Sequence, residues 1–262
     1  MAARAMWKGV IHVGSIEVPV KLYSGVTDRT VHFRLLHKTD KQPVKQQLVS
    51  SESGKPVEYA EVRKAYPVSR GRMVVLEDEE LETLEPEESR DIAITRFVDP
   101  ADVDQRWYER AYYLGPDGNT KAYFALAEAL RKKNKQAIAK WVMRDRAYAG
   151  ALREEEGHLM LIVLRHADEI IAADALKPPG GRPMQKRELD MAAQLLEALH
   201  GELDPSQYRD EYRARVMELV ETKAEGGKVK MKVFRPRKPK REEQLADVLE
   251  ASLAGAGKRK HG

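Results

Sequence analysis

Several short segments of the chain alternate apolar and polar residues with a period of two. The clearest is at residues 17–22, where Val18, Val20 and Leu22 alternate with Glu17, Pro19 and Lys21. This period is typical of a β-strand that buries one face, and such strands must pair in a sheet. Further strands are predicted at residues 31–35, 73–76, 91–98, 110–114 and 158–165. Six or more short strands favour a barrel.

Residues 136–144 form the most informative of these segments. One face is predicted to carry only apolar side chains, those of Ala137, Ala139, Trp141 and Met143. Lys140 and Arg144 are expected on the opposite face. In a barrel wall, Trp141 would enter the core and the two cations would project from the surface. The alternative is an edge strand that its cations protect against aggregation.

Three helices interrupt or follow the strands. The first is predicted at residues 120–132, with Asn119 or Thr120 as its N-cap. Amphipathic patterns predict two more, at residues 186–200 and 205–225. For the last helix, Asp204 is a suitable cap, Pro205 suits the first position, and Gly226 ends it.

Charge is strongly segregated along the 262 residues, although 46 Lys and Arg nearly balance 42 Asp and Glu. Residues 29–72 hold ten basic and four acidic side chains, and residues 131–153 hold eight and one. Residues 77–91 hold nine acids and one Arg, and residues 222–262 are basic again. Concentrated positive charge favours nucleic acid as the partner, whereas ordinary solvated surfaces are the alternative.

The sequence contains no familiar arrangement for catalysis. The chain has no Cys, which excludes disulfides, thiolate zinc sites and cysteine nucleophiles. It also lacks a phosphate-binding loop around Gly54 and Lys55, a helical His pair and a G-x-S-x-G elbow. The acids at residues 77–80 suit the first turn of a helix better than a nuclease metal site. We therefore predict a binding protein without enzymatic activity, cofactor or metal.

Apolar runs in the chain are short. The longest, at residues 159–164, falls far below the ~20 residues that a membrane-spanning helix needs. Lys8, His12 and Glu17 interrupt the N-terminal segment, so it contains no signal-peptide core. These features predict a soluble cytoplasmic protein with no membrane partner.

Motifs in a characteristic order give the chain a family resemblance. They are Trp7-Lys8-Gly9, Val18 to Ser24, Val74-Val75-Leu76 before an acidic helix, Lys121-Ala122-Tyr123, Leu164-Arg165 with Ala167-Asp168-Glu169, and Asp204-Pro205 with residues 208–212. Over roughly residues 4–225 the chain resembles the bacterial Ku family, the DNA-end-binding proteins of nonhomologous end joining. Some members carry a Cys pair where this chain has residues 50–53, so no knuckle-type zinc site is expected.

The resemblance implies a mixed β and α fold: a Ku-type β-barrel core with a bridging arm and C-terminal helices, forming a homodimeric ring. The core would span residues 1–225, with the bridge arm at about 27–65 and dimerising helices at about 186–225. A basic linker at residues 226–241 would precede a ligase-recruiting helix and a short basic tail at 242–262. The protein would be associated with the nucleoid.

Combined with the charge distribution, the resemblance predicts which side chains face the partners. DNA contacts are expected from Lys21, Arg34, Lys38, Lys41, Lys45, Lys64, Lys140, Arg144 and Arg146. The apolar stripe of the C-terminal helix comprises Leu245, Val248, Leu249 and Leu253. This stripe is expected to contact a partner protein, the multifunctional ATP-dependent ligase; docking onto its own barrel is the alternative.

The predicted function is binding of double-stranded DNA ends without sequence specificity. The ends would thread through the homodimeric ring, and the bound protein would recruit the end-joining ligase for double-strand break repair. The alternative is a generic basic DNA-binding or nucleoid protein that has no preference for ends.

Overall fold

The computed structural model describes residues 4–176 and 185–226, together with residues 249 and 252. The chain divides into two compact units. Of the described residues, 4–29 and 33–175 belong to the first, and residues 30–32, 176 and 185–226 belong to the second. Within the described part of the chain, no helix is long and apolar enough to cross a lipid bilayer.

A closed barrel of seven strands dominates the first unit. Its strands are β1 (Trp7–Val13), β2 (Ile16–Ser24), β5 (Asp91–Val98), β6 (Tyr108–Pro116), β7 (Gln136–Met143), β8 (Arg146–Glu155) and β9 (His158–Leu164). Their order around the barrel is β1-β2-β6-β9-β8-β7-β5, and β5 returns to pair with β1 in parallel. The other neighbours in the barrel are antiparallel.

The remaining elements lie outside the barrel wall. Strands β3 (Lys64–Ser69) and β4 (Arg72–Leu76) form a separate hairpin, which α1 (Asp78–Glu82) follows. Helix α2 (Thr120–Lys133) connects β6 to β7. The second unit contains α3 (Lys186–Leu199) and α4 (Glu211–Ala224).

Alternation along the strands builds the barrel interior, as the sequence predicts. Val18, Val20 and Leu22 are buried in the core, and so is the predicted apolar face of β7. Strand β7 pairs with β5 on one side and β8 on the other, so the edge-strand alternative is wrong. Because the barrel is closed, it leaves no unpaired strand edge in its wall.

Two glycines make room for tryptophan rings on the core side of the wall. The indole of Trp141 lies so close to Gly150 that a Cβ there would come within 2.6 Å of the ring. A Cβ on Gly9 would come within 2.4 Å of the ring of Trp7. The glycine of the Trp7-Lys8-Gly9 motif is therefore a packing requirement of the tryptophan two residues before it.

Helix α2 is fastened to the barrel by a buried tyrosine. The Tyr123 hydroxyl donates to the Leu114 carbonyl at 2.5 Å and accepts from the Leu159 backbone N–H at 2.9 Å. Desolvation by this burial raises the pKa of Tyr123. Asn119 caps the helix by accepting from the Ala122 N–H, which confirms the predicted cap.

The predicted strand at residues 31–35 is wrong. No strand forms over these residues, and Phe33 and Leu35 are each 64% exposed. Two small turns follow instead, closed by isolated bridges between Leu36 and Pro43 and between Val49 and Pro56. Alternation identifies a segment with one apolar face, but it does not supply the neighbouring strand that β-structure requires.

The predicted helix at residues 205–225 is shorter than expected. Asp204 caps only the 3-10 turn Pro205–Gln207, and α4 begins at Glu211 with Asp210 as its cap. A proline at the first position suits either kind of helix, so the sequence did not distinguish them. The predicted end is confirmed, because Gly226 has a φ of 79°.

Strand β8 was not predicted; small residues dominate its middle, which weakens the alternation signal.

Tyr123→Phe is expected to lower the free energy of unfolding by about 1–3 kcal/mol, because it leaves the Leu114 carbonyl and the Leu159 N–H buried without a partner. Chemical denaturation followed by circular dichroism measures this difference. Tyr113→Phe is the matched control, since Tyr113 is partly exposed. Equal stabilities of the two variants would show that the Tyr123 hydroxyl does not fasten the helix.

Candidate nucleic-acid interface

Four of the predicted DNA contacts lie on the segment between β2 and β3. Arg34, Lys38, Lys41 and Lys45 are all exposed. The Lys41 backbone is left-handed, with a φ of 60°, and its Nζ donates to the Lys38 carbonyl at 2.8 Å. Three of these cations thus project from or beside the first small turn, on a segment that buries little of its own surface.

Lys64 begins β3 and is held by the acidic helix that follows the hairpin. Its Nζ lies 2.9 Å from Oδ1 of Asp78, and the neighbouring Arg63 lies 3.2 Å from Glu77. The hydrogen bond to Asp78 raises the pKa of Lys64, and the same contact lowers the pKa of Asp78. The acidic run therefore neutralises part of the basic segment, a pairing that charge counts along the sequence do not reveal.

The three predicted cations around β7 do not share one face. Lys140 is exposed on the outer face, between Ala93 of β5 and Ala149 of β8. Arg144 was predicted on that same face, but β7 ends at Met143 and Arg144 lies in the following turn with a φ of 56°. The prediction extended the strand period past the end of the strand.

Arg146 is on the opposite side of the wall from Lys140. It opens β8 as the cross-strand partner of Met143, whose side chain faces the interior. Arg146 lines a recess of about 350 Å³ with Arg110 and His166, together with the acids Glu109 and Glu169. Its guanidinium is therefore in a mixed-charge environment at the barrel end.

Lys21 shares its carboxylate partner with a second lysine. The Lys21 Nζ lies 2.7 Å from Asp117, and the Lys8 Nζ lies 2.9 Å from the other oxygen of the same carboxylate. The hydrogen bond to Asp117 raises the pKa of Lys21, and both lysines lower the pKa of Asp117. Two ammonium groups against one carboxylate leave a net positive charge on the outer face of β1 and β2.

This charge continues around one end of the barrel. Lys8 lines a recess of about 440 Å³ together with Arg90, Arg144 and Trp7. Glu88 contributes a carboxylate to the same lining. We call Lys8, Lys21, Arg90 and Arg144 the barrel-end cluster. Two guanidinium groups beside two ammonium groups suit phosphate oxygens, which arginine binds in a bidentate manner.

Lys8 and Arg90 were not among the predicted contacts. Arg90 was hidden by its sequence position, because it is the single cation among the acids of residues 77–91. Lys8 lies between the inward-facing Trp7 and Gly9, and this position in the strand indicates an outward side chain. Parallel pairing of β1 with β5 brings the two residues together, and the sequence does not show that pairing.

The predicted partner-binding stripe is almost entirely outside the described residues. Leu245, Val248 and Leu253 lie outside them. Leu249 is helical and half-buried. Of the residues that the structure describes, no group of three or more His, Asp or Glu is placed to hold a metal ion.

Comparison with known proteins agrees with this architecture. The family model described as the Ku70/Ku80 beta-barrel domain matches residues 12–191. The chain is 39% identical to the non-homologous end joining protein Ku of Anaeromyxobacter sp. (strain K), over 98% of this chain and 87% of that protein. It is 33% identical to the Ku protein of Archaeoglobus fulgidus and 31% to that of Mycobacterium tuberculosis, each over at least 95% of both chains.

The matched model covers six of the seven barrel strands and the end of β1, and the relatives extend the similarity over nearly the full chain. The chain therefore belongs to the Ku family of non-homologous end joining proteins.

Proposed function

We propose that the protein binds double-stranded DNA ends in a sequence-independent way, by threading them through a ring of two copies. Relatives of this chain carry the name of non-homologous end joining, a pathway that acts at DNA breaks. The observation that carries the proposal is a cation-rich, poorly buried arm at about residues 27–65, attached to a closed barrel with its own cationic end.

Apolar exposure on the arm supports the homodimer. Leu36 and Val49 are each more than half exposed, and so is Tyr66 of β3 beyond them. Single exposed apolar side chains are ordinary, whereas a long series of them on one segment marks a surface that another protein covers. A second copy of the chain, with its own arm, is the occupant that we propose.

The helices of the second unit carry a similar surface. Leu196 of α3 is 74% exposed and Tyr212 of α4 is 61% exposed, and no residue of α4 is buried. This supports the assignment of residues 186–225 to dimerisation. An apolar stripe on a helix that lacks cover is unstable in water, so contact with a partner copy stabilises it.

Phosphate attraction supplies the affinity in this proposal. The barrel-end cluster, Lys140 and the arm cations offer ammonium and guanidinium groups without a reading surface for bases. Contacts to phosphates position a protein on DNA but carry no sequence information. Preference for ends then comes from topology, because a closed ring is entered only over a free end.

We further propose that the segment at 242–262 recruits the ATP-dependent ligase that seals the break. Its sequence combines the stripe of Leu245, Val248, Leu249 and Leu253 with four acids and no cation over residues 242–253. An amphipathic helix of this kind suits a groove on another protein.

The rival function is a nucleoid protein that binds DNA anywhere along its length. The charge distribution fits that function equally well, because phosphate contacts do not depend on an end. The apolar exposure on the arm favours the ring, since a simple cationic binder has no need of it.

Topology distinguishes these two functions. Protein bound to a linear fragment that is then circularised is expected to stay on the DNA through a salt wash, because the ring has no exit. The same protein is expected to ignore a preformed relaxed circle. Gel-shift and salt-challenge assays measure both outcomes, and equal affinity for linear and circular DNA would contradict the ring.

Charge removal at the barrel tests the proposed lining. Lys140→Ala combined with Arg144→Ala is expected to weaken binding to linear duplex and to reduce the slope of log Kobs against log salt by about 1 for each lost phosphate contact. Lys21→Ala is expected to change the slope less, because Asp117 already engages its ammonium. Lys132→Ala, paired to Glu128, is the control. A slope unchanged in the double variant would remove these residues from the interface.

Deletion of residues 242–262 is expected to leave binding to DNA ends largely intact while abolishing stimulation of the ligase. End-joining of linear plasmid by purified ligase, with and without this protein, measures the stimulation. A variant with Leu245→Ser and Leu249→Ser keeps the acids and is expected to behave like the deletion. Undiminished stimulation by the deletion would place the ligase contact in the core.

A further inference from the structure

An apolar groove runs along α2 at the end of the barrel opposite the barrel-end cluster. We propose that it binds an acidic amphipathic helix of a partner protein. The groove has a volume of about 650 Å³ and lies between α2, the β1–β2 hairpin and the C-terminal end of β5. Its apolar lining comprises Val13, Ile16, Val18, Phe97, Ala122, Ala125, Leu126, Ala129 and Leu130.

The walls of the groove are apolar surface that the first unit leaves in solvent. Ile16 at the hairpin is 56% exposed, and Phe97 on the facing side is 48% exposed. Helix α2 contributes exposed alanines at positions 125 and 129, with the half-buried Leu126 between them. Small side chains along the helix leave space at its surface, so a second helix has room to approach between the two large apolar residues.

Charge at the groove has one sign. Besides the apolar residues and Asn119, the lining contains Lys121, Lys133 and Lys135 and no carboxylate. Lys121 lies in the first turn of α2 and Lys133 in its last, twelve residues apart, which is about 18 Å along a helix. Lys135 is paired with Asp99 at 2.7 Å, so its charge is already balanced.

The acid of α2 nearest to these lysines does not neutralise them. Glu128 is bound by Arg131 at 2.8 Å and by Lys132 at 3.2 Å, and it does not line the groove. Hydrogen bonds from these two cations lower the pKa of Glu128 to about 2. Both ends of the groove therefore remain positive.

These features define the partner. A groove about three helical turns long, apolar in the middle and cationic at both ends, matches a helix with an apolar stripe flanked by Asp or Glu. Duplex DNA does not fit this description, because its charged backbone has no apolar ridge to bury in the groove. None of the lining residues belongs to the arm or to the barrel-end cluster.

The test uses the full-length protein and three synthetic fluorescein-labelled peptides of 14 residues. The first carries Leu at positions i, i+3, i+4 and i+7 with Glu elsewhere on the helix surface; the second replaces each Glu with Lys; the third is a shuffled version of the first without the stripe. Fluorescence anisotropy is expected to show the acidic amphipathic peptide binding at least about tenfold more tightly than the other two. Equal binding of all three, or of none, would overturn the proposal.

Paired charge reversals locate the binding site. The double variant Lys121→Glu with Lys133→Glu is expected to bind the acidic peptide about tenfold more weakly than the unaltered protein does. It is expected to bind the lysine peptide more tightly. Arg70→Glu with Arg72→Glu is the matched control, because these exposed arginines lie at the turn of the β3–β4 hairpin, outside the groove, the arm and the barrel-end cluster. Equal effects of the two double variants would show that the peptide responds to net charge alone.

Two further measurements distinguish loss of the peptide site from misfolding and from loss of DNA binding. Ala125→Trp changes no charge. It is expected to fill the groove and abolish peptide binding while leaving affinity for linear duplex unchanged. Loss of DNA binding in this variant would overturn the separation of the groove from the DNA-binding surface. Tighter peptide binding by a chain lacking residues 242–262 would identify the chain's own acidic segment as the occupant and overturn assignment to a partner.

Discussion

Closure of the barrel depends on the pairing of β1 with β5, which joins the two ends of the strand series. Val10 pairs with Asp91 and Ile11 with Ile92, and the Val10 N–H donates to the Arg90 carbonyl at 2.8 Å. Without this contact the wall would present two open strand edges, and the apolar interior would be accessible to solvent. The same contact also sets Lys8 beside Arg90 and the turn that carries Arg144.

The barrel places its charged and apolar surfaces at opposite ends. Lys8, Arg90 and Arg144 of the barrel-end cluster lie where β1 and β5 begin and β7 ends, whereas the groove along α2 lies where β5 ends and β7 begins. Tyr123 holds the helix on that second end through the Leu114 carbonyl and the Leu159 N–H. One rigid element thus separates a surface suited to phosphate from a surface suited to an amphipathic helix.

Sequence patterns were most informative for features that depend on the residues of a single strand or helix. The period-two face of β7, the cap of α2 and the end of α4 at Gly226 follow from local sequence. The irregular arm and the barrel-end cluster depend on non-local pairing. Residues 31–35 alternate like a strand but form none, and Arg90 becomes part of a cationic recess only because β5 pairs with β1. The pairing of Lys64 with Asp78 has the same origin, because the β3–β4 hairpin must form first.

We propose that two copies enclose duplex DNA through a cationic lining. Electron cryomicroscopy of the full-length protein on a short linear duplex is the decisive experiment. We expect two copies forming a closed ring, with the duplex passing through it and phosphates near Lys140 and the barrel-end cluster. A single copy resting on one side of the duplex, with its arm free of any second chain, would contradict it.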